Sequence, residues 1–262
     1  MGEDKPILDL LKSTPNILGQ VYADVAQPSV KAIGAALGTV LEFSTSILLP
    51  VKLLNEKFKL NFTKRLEEYK EKLEQIPEEK RCEVHPQIGT PIIDKLSYTT
   101  NDEIADLFTT LLANASNVDM VNTAHPSFAN FIERLSPDEA RIIRYLNGRD
   151  DIQYCHFKAE ILNSPGFKNI YEYLTLVPLE VSLDYPQNIN VYFSNLVSLG
   201  FIVDMVSVYR VDDTIYNKII KEYEFEQLKA VLVPDKLKNL SVTKSYFKVT
   251  DFGKLFIKSC VK

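Results

Sequence analysis

Tryptophan is missing from this 262-residue chain, and histidine, cysteine and methionine occur three times each. The three cysteines, Cys82, Cys155 and Cys260, are an odd number and widely spaced in a chain long enough to bury a full core. They therefore do not form a disulfide framework, and they point to a reducing compartment. Three histidines leave little for a metal site. Cys82-x-x-His85 has a spacing that zinc sites use, but no second pair completes four ligands, so no metal is expected. Cys155-His156 could form a thiol dyad only if sequence neighbours turned the same way, which neither a helix nor a strand allows. No phosphate-binding loop, nucleophile motif or paired-carboxylate site is present. The sequence names no reaction, cofactor or small-molecule substrate, and the expectation is a protein that is not an enzyme. The start, MGEDKPILDLLKS, is acidic where a signal peptide is basic, and Pro6 stands where a myristoylation signal has Ser or Thr. Cytoplasmic is the expected location.

Apolar residues at 45% and charged residues at 25% are ordinary for a globular protein. The net charge of −5 is unevenly placed. Residues 1–135 hold fourteen Lys/Arg against nineteen Asp/Glu, whereas residues 136–262 are balanced at sixteen each. From Lys236 to Lys262 there are seven lysines and one acid, Asp251. Lys244 and Lys248 fall on the expected wing, Lys254 and Lys258 four apart on the last helix, and together they are the candidate nucleic-acid contacts. The helix that would read a groove, Asn188–Leu199, has neither Lys nor Arg, which argues against sequence-specific DNA binding.

The longest apolar run is Ala32–Val51, whose only charge is Glu42. About 20 helical residues span a bilayer, and Gly34-x-x-x-Gly38 lets helices approach closely. Glu42, Ser44, Thr45, Ser46 and Pro50 make insertion costly, the acid alone by roughly 2.5–3.5 kcal/mol. The expectation is a core helix, with Gly34 and Gly38 at a helix contact within the chain or across a dimer. A membrane-acting effector using Gly34, Gly38 and Glu42 is the leading alternative.

The chain divides on pattern into leader helices over 1–27, a helical domain over 28–135 and a further domain over 136–262. Leu53, Leu54, Phe58, Phe62, Leu66, Tyr69 and Leu73 form an apolar stripe, with Lys64, Arg65, Glu67, Glu68 and Lys72 among the solvated residues between them. Pro91 opens a helix, Thr100 or Asn101 caps DEIADLFTTLLANASN, and His125-Pro126 starts another. Ser136-Pro137-Asp138-Glu139 is a strong helix start that Gly148 stops. Tyr173–Val181 reads as extended or loop. Asn188–Leu199 is a helix ending at Gly200, Phe201–Val211 alternates as a strand, Asp213–Lys229 is one charged helix, Tyr246–Val249 a strand and Asp251–Val261 a closing helix. That order predicts a mainly α (α+β) protein: a helical N-terminal domain and a C-terminal winged-helix-like domain with a small antiparallel sheet.

QPSVKAIGAALGTVLEF (27–43), PVKLLNEKF (50–58), KLEQIPEEK (72–80), AHPSFANFIERLSPDEARIIRYL (124–146), NLVSLGFI (195–202) and VTDFGKLFIKSCV (249–261) resemble, in order and spacing, the bacterial abortive-infection alpha family. The resemblance implies phage resistance, in which the infected cell stops growing before phage matures. It implies no cofactor and no catalytic residue. A protein partner or self-association is expected, with a non-specific nucleic-acid sensor as second alternative.

Overall fold

The structure, a computed structural model, describes residues 35–40, 56–163, 165–231 and 237–262. They fall into two compact units, Met1–Ala140 with Leu255–Lys262, and Arg141–Lys254.

In the first unit the amphipathic pattern forms α1, Glu56–Glu74, with Phe62, Leu66, Tyr69 and Leu73 buried at helical spacing. Arg65, expected on the solvated face, is buried with them. A buried guanidinium must be hydrogen-bonded, and Arg65 donates to the carbonyls of Thr99 and Thr100 and to Glu68. Helix α2 is Pro86–Leu96. It starts five residues earlier than expected, with His85 as N-cap accepting from the Gln87 N–H, so Pro91 lies inside it. The next helix, α3, is Asp102–Ala115, capped by Asn101 through the Ile104 N–H as expected. Its face of Leu107, Phe108, Leu111 and Leu112 is buried. Helix α4 is Phe128–Glu133. Helix α5, Pro137–Tyr145, opens on a reciprocal cap, with the Ser136 hydroxyl accepting from the Glu139 N–H and the Glu139 carboxylate from the Ser136 N–H.

The second unit is built on β1, Asp151–Ile161, and β2, Phe167–Leu174, a hairpin in a region with no clear periodicity. Then come a short helix α6 (Val177–Glu180), α7 (Ile189–Ser198), the strand β3 (Ile202–Asp204), α8 (Thr214–Glu222) and α9 (Phe225–Val231). A long strand, β4, Leu237–Val249, leads into α10, Asp251–Cys260. The expected helix Asp213–Lys229 is thus two helices, broken where Glu224 takes φ +51. The strands form one antiparallel sheet in the order β2-β1-β4-β3. The expected small antiparallel sheet is present and β3 pairs with β4, but the long β1–β4 ladder at its centre makes it four-stranded.

One sheet face carries Cys155, Phe157 and Leu174 against Tyr216 and Ile219 of α8 and Phe225 of α9. The other carries an aromatic cluster of Tyr154, His156, Tyr173 and Phe247, with Phe193 of α7 at 4.8 Å from Phe247.

Candidate functional site

Cys155 and His156 face opposite sides of the sheet, and burial pushes the Cys155 thiol up to about 12, far from a reactive thiolate. His85 and His125 serve local structure: His85 caps α2, and His125 Nδ1 lies 2.7 Å from Ser127 Oγ. Among the described residues no three His, Cys, Asp or Glu are grouped to hold a metal ion.

His156 is half-buried among rings, and its Nδ1 accepts the Tyr173 backbone N–H at 3.2 Å. Loss of solvation lowers its pKa, outweighing Glu172 and Asp204, which pull it up; Lys158 adds to the lowering. Tyr154 and Tyr173 complete its surroundings. The unfolded chain therefore takes up the proton more readily than the folded one. This stabilisation is complete above the unfolded value of about 6.5 and is lost as pH falls below it. Thermal unfolding should show a lower Tm at about pH 5.5 than at about pH 7.5, above the window in which carboxylates titrate. His156→Asn, which keeps an acceptor and removes the titration, should flatten that difference.

The four lysines of the basic end do not form a free cation cluster. Lys244 is ion-paired with Asp213 at 2.8 Å and Lys254 with Asp150 at 2.5 Å. Lys248 is exposed on β4, opposite Asp151 in the ladder, and Lys258 is exposed on α10. Gly34 and Glu42 lie outside the described residues. Residues 35–40 are helical, with Ala36, Leu37 and Val40 buried. Among the described residues a Cβ on Gly38 would meet nothing within 4 Å, whereas one on Gly89 would fall 2.5 Å from Val40 Cγ2. Among the described residues, close approach to this helix is made at Gly89. Among the described residues no helix is long and apolar enough to cross a membrane.

The chain segment after β3 stands out instead. Phe201–Val211 alternates as a strand should, but the ladder ends at Asp204. The following residues form a loop fixed at both ends. The Met205 N–H donates to the Tyr246 carbonyl at 3.0 Å, and Ser245 Oγ donates to the Met205 carbonyl at 2.7 Å. Val208 N–H closes a turn onto Met205, across Ser207 at φ +64. At the far end the Arg210 N–H donates to the Tyr216 hydroxyl at 3.1 Å. The Arg210 guanidinium grips Asp151 at 2.9 and 2.5 Å and lies 4.3 Å from the Tyr246 ring centre. Asp212 then starts α8 by accepting from the Thr214 N–H and hydroxyl. Between these anchors Val206, Tyr209 and Val211 are 69%, 59% and 96% exposed, and Val208 is exposed with them.

A loop whose backbone is already ordered loses little further entropy on docking, and among the described residues Val206, Tyr209 and Val211 are left largely exposed. Sequence reading missed these residues because V-x-V-x-x-V at strand spacing looks like a half-buried strand. The ladder stops although β4 runs back to Leu237, because the chain turns at Ser207, where φ is +64.

A family model for abortive infection alpha matches residues 55–260. The chain belongs to the abortive infection alpha family. No curated protein matches it. A solved structure of an uncharacterized protein from the hydrocarbon-degrading marine bacterium Alcanivorax borkumensis SK2 is similar at 16% identity. That match covers 54% of this chain and 96% of the other, with a TM-score of 0.32, too low to say anything of function.

Proposed function

We propose that this abortive infection alpha protein acts in phage resistance through protein contacts, without catalysis. The observation that carries this reading is the anchored apolar loop Val206–Val211 on the second unit. We read α7, β3, β4 and α10 as a winged-helix-like support for it, with α8 and α9 inserted between the two strands. The partner is a protein surface with an apolar groove that takes Val206, Val208, Tyr209 and Val211; self-association by the same loop is the other arrangement.

Each buried valine contributes about 1.5–3 kcal/mol to an interface, so each lost one weakens binding about tenfold or more. Changing Val206, Val208, Tyr209 and Val211 together to serine should abolish protection in a plaque assay. Thermal stability should change little, since exposed substitutions of this kind cost within about 0.5 kcal/mol each. Full protection by that variant would overturn the reading. Two other outcomes favour the alternatives: liposome permeabilisation lost on changing Gly34, Gly38 and Glu42 a membrane role, and salt-sensitive RNA or DNA retention lost on neutralising Lys244, Lys248, Lys254 and Lys258 a nucleic-acid one.

A further inference from the structure

Where α8 breaks into α9, the second unit holds a cavity of about 410 Å³ against β1 and β2, within the size range of small-molecule sites. Its apolar walls are fixed by the fold. The Tyr223 hydroxyl donates to the Thr175 carbonyl at 2.9 Å, and Leu228 packs on the core beside Leu174. Beneath them Phe157 is fully buried, its ring meeting that of Phe225 edge-on at 4.7 Å. A binding partner in this cavity therefore meets walls that are already in place.

The polar groups that line it are not committed. Among the described residues the side chains of Tyr171, Glu224 and Gln227 make no hydrogen bond or ion pair, and all three residues are exposed. Glu224 takes φ +51, a left-handed backbone that favours glycine or asparagine. It ends α8, its N–H donating to the Lys221 carbonyl, and starts α9, its carbonyl accepting from the Leu228 N–H. Its carboxylate is the only charged group among the described residues that line the cavity, and no lysine or arginine there offsets it.

We propose that this cavity binds a small organic cation, a protonated or quaternary amine on an apolar body. The Glu224 carboxylate supplies the counter-charge, and the tyrosine rings of Tyr171 and Tyr223 attract a cation through their faces. Leu174 and Leu228 take the apolar body. An anion would meet only like charge. A neutral apolar molecule would strip water from the carboxylate and return nothing for it. This is a site separate from the apolar loop, and it holds whether or not the loop docks a protein.

The test is isothermal titration and ligand-observed NMR of the full chain with benzyltrimethylammonium, beside benzyl alcohol as its neutral counterpart and benzoate as its anionic one. The cation is expected to bind, and more tightly than either. Glu224→Gln should weaken it about fivefold or more, the worth of one carboxylate–ammonium contact near a protein surface. Tyr171→Ala should weaken it about threefold or more, the worth of one ring face. Glu224→Gly suits the left-handed backbone, so it should keep or raise the Tm while losing the cation. No binding of the cation at millimolar concentration, equal binding of all three probes, or binding indifferent to Glu224→Gln overturns the proposal. A lowered Tm in Glu224→Gly does so too, because the glutamate would then serve the fold.

Discussion

Alanine at Gly253 is expected to destabilise the protein by about 3 kcal/mol or more, although alanine is the better helix former. Gly253 sits in the first turn of α10, its N–H donating to the Thr250 hydroxyl at 2.9 Å. That hydroxyl donates in turn to the Gly200 carbonyl at 2.5 Å, and the Thr250 N–H to the Phe201 carbonyl at 3.0 Å. The connection out of α7, turned by Gly200 at φ +76, is thereby held directly over the helix start. A Cβ on Gly253 would lie 2.1 Å from the Phe201 carbonyl oxygen and 3.0 Å from its Cα. Those are backbone atoms, so relief requires moving the β3 connection itself. Helix propensity favours alanine by only about 1 kcal/mol, and the clash outweighs it. For a chain of this size the Tm should fall by about 6–12 °C. Gly38→Ala is the control. It is also helical, and among the described residues nothing lies within 4 Å of its Cβ, so stability should rise by the helix propensity, about 0.5–1 kcal/mol. Equal behaviour of the two variants would mean that the Gly253 contact carries no strain.

The second large effect is expected at Arg65, whose side chain is 1% exposed. Its Nε and Nη2 donate to the carbonyls of Thr99 and Thr100 at 3.3 and 3.0 Å, in the turn between α2 and α3. Ion pairs with Glu68 at 2.7 Å and Asp102 at 2.8 Å complete the fork. Asp102 is 74% exposed, so that pair is screened and contributes little. What matters is that two turn carbonyls have one fork as donor and that the side chain fills space against α1. Arg65→Ala loses both and should cost about 3–4 kcal/mol in urea unfolding. Arg65→Met keeps the volume but leaves the carbonyls without a donor, for about 2 kcal/mol. If methionine proves neutral, packing alone explains the residue.

Arg65 also shows where sequence reading stops. The period of α1 was plain in Phe62, Leu66, Tyr69 and Leu73, and a charge between them was counted as solvated. Nothing local says that the turn at Thr99–Thr100, over thirty residues on, needs a donor. Lys72 repeats the lesson: its ammonium is drawn in to Asp106, Thr109 and Thr110 of α3, and burial lowers its pKa. Caps were legible, because Asn101 and the Ser136–Glu139 pair act within three residues of themselves. The β1–β2 hairpin was not. In β1 both faces are apolar in turn, with Ile152 and Tyr154 on one and Cys155 and Phe157 on the other, so the two-residue alternation that marks a half-exposed strand is blurred. The anchored loop failed in the opposite way: its pattern reads as a strand, but the turn at Ser207 ends the ladder with β4 at Asp204.

By itself the sequence determined the helix caps at Asn101 and Ser136, the apolar stripes of α1 and α3, the turns at Gly148 and Gly200, and the family resemblance, because each depends on residues near one another along the chain. Only the tertiary structure decided that β4 pairs with β1, that Arg65 is buried, that Gly89 rather than Gly38 takes a close approach, and that Val206–Val211 faces solvent. Those outcomes depend on which distant backbone groups and side chains come within contact, and local pattern does not encode that.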